Sequence, residues 1–372
     1  MEVKTLKEKE SSTLNQTKIL RQETTQKESS LNTESQSLQN LEITVNLVKE
    51  CREKDIIGGN WTLVGLKNEN SFLIGTSRNG LRLIDNGLDL YSDINRLSDD
   101  SLYDIIFISV INCYLIASYE KLYRKNIDDR PPYLYLDLKC GFRLGTYLRY
   151  SDKNYKLVIN KDRVNISVID LKAKKLAIEM NKEVGKSITD FRVFGESQKR
   201  VVSVTEDGYI ILYSLGHAHK LGIVARHQLD LIKTRKESLI SVSVCPKDKY
   251  AVVEIAQNKG LYPCSRMLVY KLIAGTLIKT TSIDCSNQKI GFKYALDCFG
   301  YFGKCILWVG LTRDQLTQVY YYDTERAELR ELQESRVNHQ EDRPVRLHHL
   351  NRKLYYTGMN GQLLSLRFIL NY

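Results

Sequence analysis

From residue 61 to the C-terminus, short apolar runs alternate with polar turns at a steady spacing. The turns are Arg78-Asn79-Gly80, Tyr119-Glu120-Lys121, Asp162-Arg163-Val164, Glu206-Asp207-Gly208, Gln257-Asn258-Lys259-Gly260, Thr312-Arg313-Asp314 and Met359-Asn360-Gly361. Counted from Gly80, Lys121, Val164, Gly208, Gly260, Asp314 and Gly361, the steps are 41, 43, 44, 52, 54 and 47 residues. Each turn sits between two strand-like runs, and Asn-Gly and Asp-Gly there predict hairpins in which both residues take the positive φ of primed turns. A repeat of roughly 40 to 50 residues is one supersecondary unit that buries its apolar faces only against its neighbours.

That period predicts four-stranded blades, and seven turns predict seven of them. The first three strands of each are read as follows: 61–66, 71–76 and 81–85; 104–110, 113–118 and 122–126, with 133–138 as a fourth; 146–150, 155–159 and 165–171; 190–195, 200–205 and 209–215; 239–245, 250–256 and 267–272; 294–299, 305–312 and 318–323; 345–350, 354–357 and 362–370. The last repeat supplies three strands before the chain stops. Residues 41–48 carry the missing one: Leu41, Ile43, Val45 and Leu47 alternate with Glu42, Thr44, Asn46 and Val48, the period-2 signature of a strand. The fold class expected is therefore all-β, a seven-bladed β-propeller of four-stranded antiparallel blades closed by the N-terminal strand. Helices have almost no room in this reading.

Residues 1–40 differ from the rest. Twenty of them are Ser, Thr, Asn or Gln, six are basic, six acidic and none aromatic, too little apolar surface to offset ordering entropy. A flexible tail over 1–40 followed by one domain over 41–372 is the expected organisation.

The chain resembles the WD40-like β-propellers in the stretches 204–215 (VTEDGYIILYSL) and 164–171 (VNISVIDL). The resemblance covers residues 41–372 and identifies no particular member. Where that family ends the third strand of a blade on Trp-Asp, this chain reads Ile84-Asp85, Ile169-Asp170, Tyr213-Ser214 and Tyr322-Asp323, and its one Gly-His pair, Gly216-His217, lies out of place. The resemblance implies a rigid interaction module; other propellers, kelch-like ones among them, stay open.

Candidate chemistry is sparse. No phosphate-cradling loop follows Gly58-Gly59-Asn60, and neither a Gly-x-Ser-x-Gly elbow nor a His-Glu-x-x-His motif occurs. His217-Ala218-His219 read as part of a polar connector, and the adjacent pair His348-His349 points to opposite faces of a strand. Asp297, Asp314 and Asp323 read as turn and blade carboxylates. The phosphate-holding Arg-Arg pair of phosphoinositide-binding propellers is absent, Gly141-Phe142-Arg143-Leu144-Gly145 being the nearest string. Eight cysteines without CxxC spacing predict reduced thiols, not a metal site. No catalytic residue, cofactor or metal is expected.

The longest apolar run, residues 105–117, is too short for a helical span and is broken by Ser109 and Asn112. The N-terminus lacks the apolar core of a secretory signal, so no membrane insertion and an intracellular place are expected: the cytoplasm, with the nucleus as the other compartment.

Charge supplies the remaining clue. The net charge is +11, and the tail balances to zero. First-to-second-strand turns carry Lys67, Lys153, Lys199, Lys247, Lys249, Lys304, Arg352 and Lys353 against Glu69, Asp152, Glu196 and Asp248, a net of +4. Second-to-third turns carry Arg78, Lys121, Lys161, Arg163, Lys259 and Arg313 against Glu120, Asp162, Glu206, Asp207 and Asp314, a net of +1. These sets emerge on opposite faces. The expected partner-binding face is the more basic one, with Lys153, Lys172, Lys174, Lys175, Lys199, Lys247, Lys249, Lys304, Arg352 and Lys353 as candidates. The function expected is a non-enzymatic scaffold or adaptor for protein or peptide partners, acidic ones fitting best. Two alternatives stand beside it: a nucleic-acid-associated propeller using the basic face, and a propeller enzyme whose site is assembled from channel-lining residues.

Overall fold

The structure, a computed structural model, describes residues 41–370 apart from 51–61, 69, 77–80, 87, 91–101, 103, 119, 129, 139–148, 152–155, 162–163, 180–186, 195–199, 216–220, 230, 232–236, 246–248, 257–263, 274–275, 285–296, 303–304, 312–315, 325, 327, 332–336, 339–343, 351–352 and 359–361. The expected tail over 1–40 lies outside the described residues. Two units are distinguished, residues 1–44 with 368–372 and residues 45–367, the division falling inside the first and last strands.

The described residues are all-β, 29 strands with a single 3-10 turn. After β1 (Leu41–Glu50) come β2 (Thr62–Asn68), β3 (Ser71–Thr76), β4 (Leu81–Asp85) and β5 (Leu88–Leu90), which form the first sheet. The second holds β6 (Asp104–Ile108), β7 (Cys113–Ala117), β8 (Lys121–Asn126) and β9 (Tyr133–Asp137). The third holds β10 (Arg149–Ser151), β11 (Lys156–Lys161), β12 (Asn165–Asp170) and β13 (Lys175–Glu179). The fourth holds β14 (Ile188–Phe194), β15 (Arg200–Thr205), β16 (Tyr209–Leu215) and β17 (Leu221–Gln228). The fifth holds β18 (Ser238–Val244), β19 (Tyr250–Ala256), β20 (Cys264–Ile273) and β21 (Thr276–Asp284). The sixth holds β22 (Asp297–Phe302), β23 (Cys305–Leu311), β24 (Leu316–Asp323) and β25 (Glu328–Glu331), with β26 (Val337–Asn338) also pairing β24. The last has the order β1-β29-β28-β27, from β27 (Pro344–Leu350), β28 (Lys353–Gly358) and β29 (Gln362–Leu370). Consecutive strands pair antiparallel within these sheets, and no sheet closes on itself.

Why the central strands read as unbroken apolar runs is explained by where alternate side chains go. In β7, Cys113, Leu115 and Ala117 enter a core shared with Leu157 and Ile159 of the third sheet, while Tyr114 and Ile116 enter another with Leu73 and Leu83 of the first. In β16, Ile210 and Leu212 pack with Val253 and Leu268 of the fifth sheet, while Ile211 and Tyr213 pack with Val158 and Val168 of the third. A strand buried on both faces has no position left for a polar alternation. Further contacts join β18 to β22, β22 to β27, and β2 of the first sheet to β27 and β28 of the last.

Six expected strands, 71–76, 81–85, 200–205, 209–215, 250–256 and 362–370, have the observed ends. The strand expected at 104–110 stops at Ile108, because Ser109–Ile111 form the 3-10 turn and Asn112 takes a left-handed φ of 46°. The strand expected at 294–299 runs instead from Asp297 to Phe302. A bulge between Cys298 and Gly300 takes up Phe299, so that Gly300 pairs with Leu307 and Phe302 with Cys305. The turn at Glu206-Asp207-Gly208 also differs: Gly208, at φ 92°, is the residue of left-handed φ there, and its N–H bonds the Thr205 carbonyl at 3.1 Å. The hairpin is thus closed by a glycine bulge position, not by a primed pair.

Candidate functional site

Antiparallel order brings the first-to-second and third-to-fourth connectors to the same end of each sheet. In the third sheet Ser151 pairs with Lys156 and Lys156 with Asp170, so Lys172, Lys174 and Lys175 stand at the end where β10 passes into β11. One Asp170 carboxylate oxygen accepts the N–H of Lys172 at 2.9 Å and of Ala173 at 2.8 Å. The carboxylate thus holds the turn, and the three lysines after it are exposed. Lys174, at φ 52°, lays its ammonium 5.4 Å from the centroid of the Tyr135 ring in the second sheet.

Lys249 occupies the corresponding end of the fifth sheet. Its N–H donates to the Cys245 sulfur at 3.2 Å, its carbonyl accepts the Leu272 N–H at 2.8 Å, and its side chain is exposed beside exposed Lys271. Lys153, Lys199, Lys247, Lys304 and Arg352 lie outside the described residues; Lys353 opens β28 opposite Leu350. The turn lysine Lys67 is half-buried and stands 3.8 Å from Asp85. Two further cations of the same end, Arg130 and Arg326, come from third-to-fourth connectors. Arg130 donates to Asp128 at 2.5 Å, and Arg326 lies 3.9 Å from Asp323. Asp323 also accepts the Arg326 N–H at 3.1 Å, a turn role.

Sequence reasoning missed a buried carboxylate pair at the seam of the fourth and fifth sheets. Asp190, on β14, accepts the N–H of Phe191 at 2.9 Å and the guanidinium of Arg192 at 3.1 Å. Its other oxygen crosses the seam to the N–H of Val242 on β18 at 3.1 Å. Glu254, on β19, is 1% exposed. Its Oε2 accepts the Ser241 hydroxyl at 2.8 Å, and its Oε1 is buried without a hydrogen-bond partner. Burial pushes the Glu254 carboxyl up to about 8, the Ser241 hydrogen bond opposes the rise, and the Asp190 charge adds to it. Such an acidity is what a channel-lining enzyme site would require, yet both groups are closed to solvent, Asp190 being 4% exposed. A lone Glu in the apolar run 250–256 is the one sign of it in the sequence.

Among the described residues no three His, Cys, Asp or Glu side chains gather as metal ligands. Cys113 and Cys245 are buried free thiols, and burial pushes that of Cys113 up to about 11. His348 and His349 are adjacent in β27, opposite Tyr355 and Leu354, and His217 and His219 lie outside the described residues. No helix of the described residues is long and apolar enough to cross a membrane. No family model matches the chain, and no curated protein matches it.

Proposed function

We propose that the chain is a non-enzymatic interaction scaffold of the cytoplasm or nucleus, built as a WD40-like seven-bladed β-propeller whose last blade is completed by β1. The propeller reading is supported by the order of contacts: successive sheets share cores or first-strand contacts, and the last sheet meets the first through β27, β28 and β2. A propeller presents two faces of loops. The observation that carries the binding role is the connector 171–175, where Asp170 is committed to backbone N–H groups and Lys172, Lys174 and Lys175 project from one end of the sheet. Together with Lys249 they form a cationic face for an acidic protein segment.

The test uses a labelled Glu-rich peptide and a DNA duplex of equal charge, with binding followed by anisotropy across a salt series. Reversal of Lys172, Lys174, Lys175 and Lys249 to Glu is expected to weaken the peptide at least roughly tenfold at low salt while leaving the melting temperature in place. Unchanged peptide binding in that variant refutes the reading. Tighter binding of the duplex, with log affinity falling linearly in log salt, transfers the face to nucleic acid. The enzyme alternative rests on Asp190 and Glu254, which a substrate reaches only by opening the seam between the fourth and fifth sheets.

A further inference from the structure

We propose that the cleft where β17 meets β20 and β21 is a binding site for a phosphate monoester. The cleft has a volume of about 110 Å³ and is lined by His227, Gln228 and Leu229 from the fourth sheet and by Arg266, Leu268 and Lys279 from the fifth. Its floor is fixed, because Leu229 and Leu268 belong to the core that joins the two sheets. Its rim is made of donors: an imidazole, an amide, a guanidinium and an ammonium, with no carboxylate among the lining residues. Carboxylates stand beside Arg266 outside that lining, and Asp284 is its register partner on β21. Buried Glu237 accepts Arg266 Nε at 3.1 Å and Nη2 at 2.5 Å, a bidentate pair that fixes the orientation of the guanidinium. The His227 ring is placed edge-on to Tyr270, centroids 5.9 Å apart.

Cationic or donor side chains thus reach one small space from three strands. A tetrahedral oxyanion offers three outward oxygens to such a rim, whereas a planar carboxylate offers two; phosphate also carries nearly two charges at neutral pH. Residues 227–228 lie at the end of the fourth sheet that carries the Gly208 turn, Gln228 pairing with Tyr209, away from the connector end that bears Lys172 and Lys249. Lys279 pairs with Tyr270, one position from Lys271, and so reaches the cleft from the Lys249 side of the fifth sheet, but the cleft and the basic face share no residue.

The proposal is tested by calorimetric titration of the full chain, at fixed ionic strength, with inorganic phosphate, acetate, a phosphoserine peptide and the same peptide unphosphorylated. Phosphate and the phosphopeptide are expected to bind, acetate and the plain peptide not. Lys279→Met and His227→Gln, both at exposed positions, should each weaken phosphate roughly tenfold, the loss of one charge-assisted hydrogen bond, with no change in melting temperature. A phosphopeptide that binds far more tightly than phosphate assigns the site to a modified polypeptide; equal affinities assign it to a small phosphate ester. The proposal is overturned if phosphate gives no saturable heat, if acetate matches it, or if the two variants bind as the parent does. The Lys-to-Glu variant of the basic face should still bind phosphate saturably, whereas Lys279→Met and His227→Gln should leave the acidic peptide bound, so failure of one site is told apart from failure of the other.

Discussion

Replacing Glu254 by Gln keeps the shape and the acceptor for the Ser241 hydroxyl but removes the ionisable group. The carboxyl is raised from 4.5 to about 8 by burial, with the Asp190 charge adding to the rise. Between those limits the folded protein holds a proton that the unfolded chain releases, so folding stability falls as pH rises, and above about 8 the loss is complete. At 1.36 kcal/mol per pH unit the full interval amounts to roughly 5 kcal/mol, and about 3 kcal/mol of it is already lost at pH 7. The Gln variant does not pay this, although its buried amide, where Oε1 now lacks a partner, offsets part of the gain by about 1 to 3 kcal/mol. Urea unfolding followed by circular dichroism from pH 5 to pH 9 measures the difference. The parent should lose stability through this window and level off near its upper end; Glu254→Gln should lack that component and overtake the parent in alkali. Parallel profiles for the two proteins would refute the argument, because they would mean that Glu254 is ionised at no extra cost.

Two other substitutions probe how neighbouring sheets are held together. Asp190→Ala leaves the buried N–H groups of Phe191 and Val242 without their acceptor, and should cost about 3 kcal/mol or more in a thermal melt, with Asp190→Asn recovering part of it. Gly65→Ala places a methyl group 2.7 Å from Ile105 Cγ2 and 3.1 Å from the Tyr114 ring, so the first and second sheets must move apart; a loss of roughly 1 to 3 kcal/mol is expected, and a melting temperature equal to the parent's would show that the seam yields freely.

Much of the all-β architecture was determined by the sequence itself, because a strand buried on both faces and bounded by Gly, Asn and Asp turns announces itself locally, as 200–205, 209–215 and 250–256 do. The same local logic located 362–370 and the N-terminal strand that stands beside it in the last sheet. Ends set by a partner strand were not legible: β22 runs on to Phe302 only because β23 pairs with it through a bulge, and most fourth strands, short or exposed, carry no strong period. The lysines of the basic face could be named from turn positions, but their charge could not be apportioned. Only the tertiary structure decided that Lys67 meets Asp85 whereas Lys172, Lys174 and Lys175 project beyond an Asp170 held by its own turn. The Asp190–Glu254 seam and the cleft of His227, Arg266 and Lys279 belong wholly to the tertiary structure, since each joins residues of two sheets that are far apart in the chain. Periodicity reports which side of a strand is apolar; it carries no information about which strand of another sheet will face it, and electrostatics is decided by that distance.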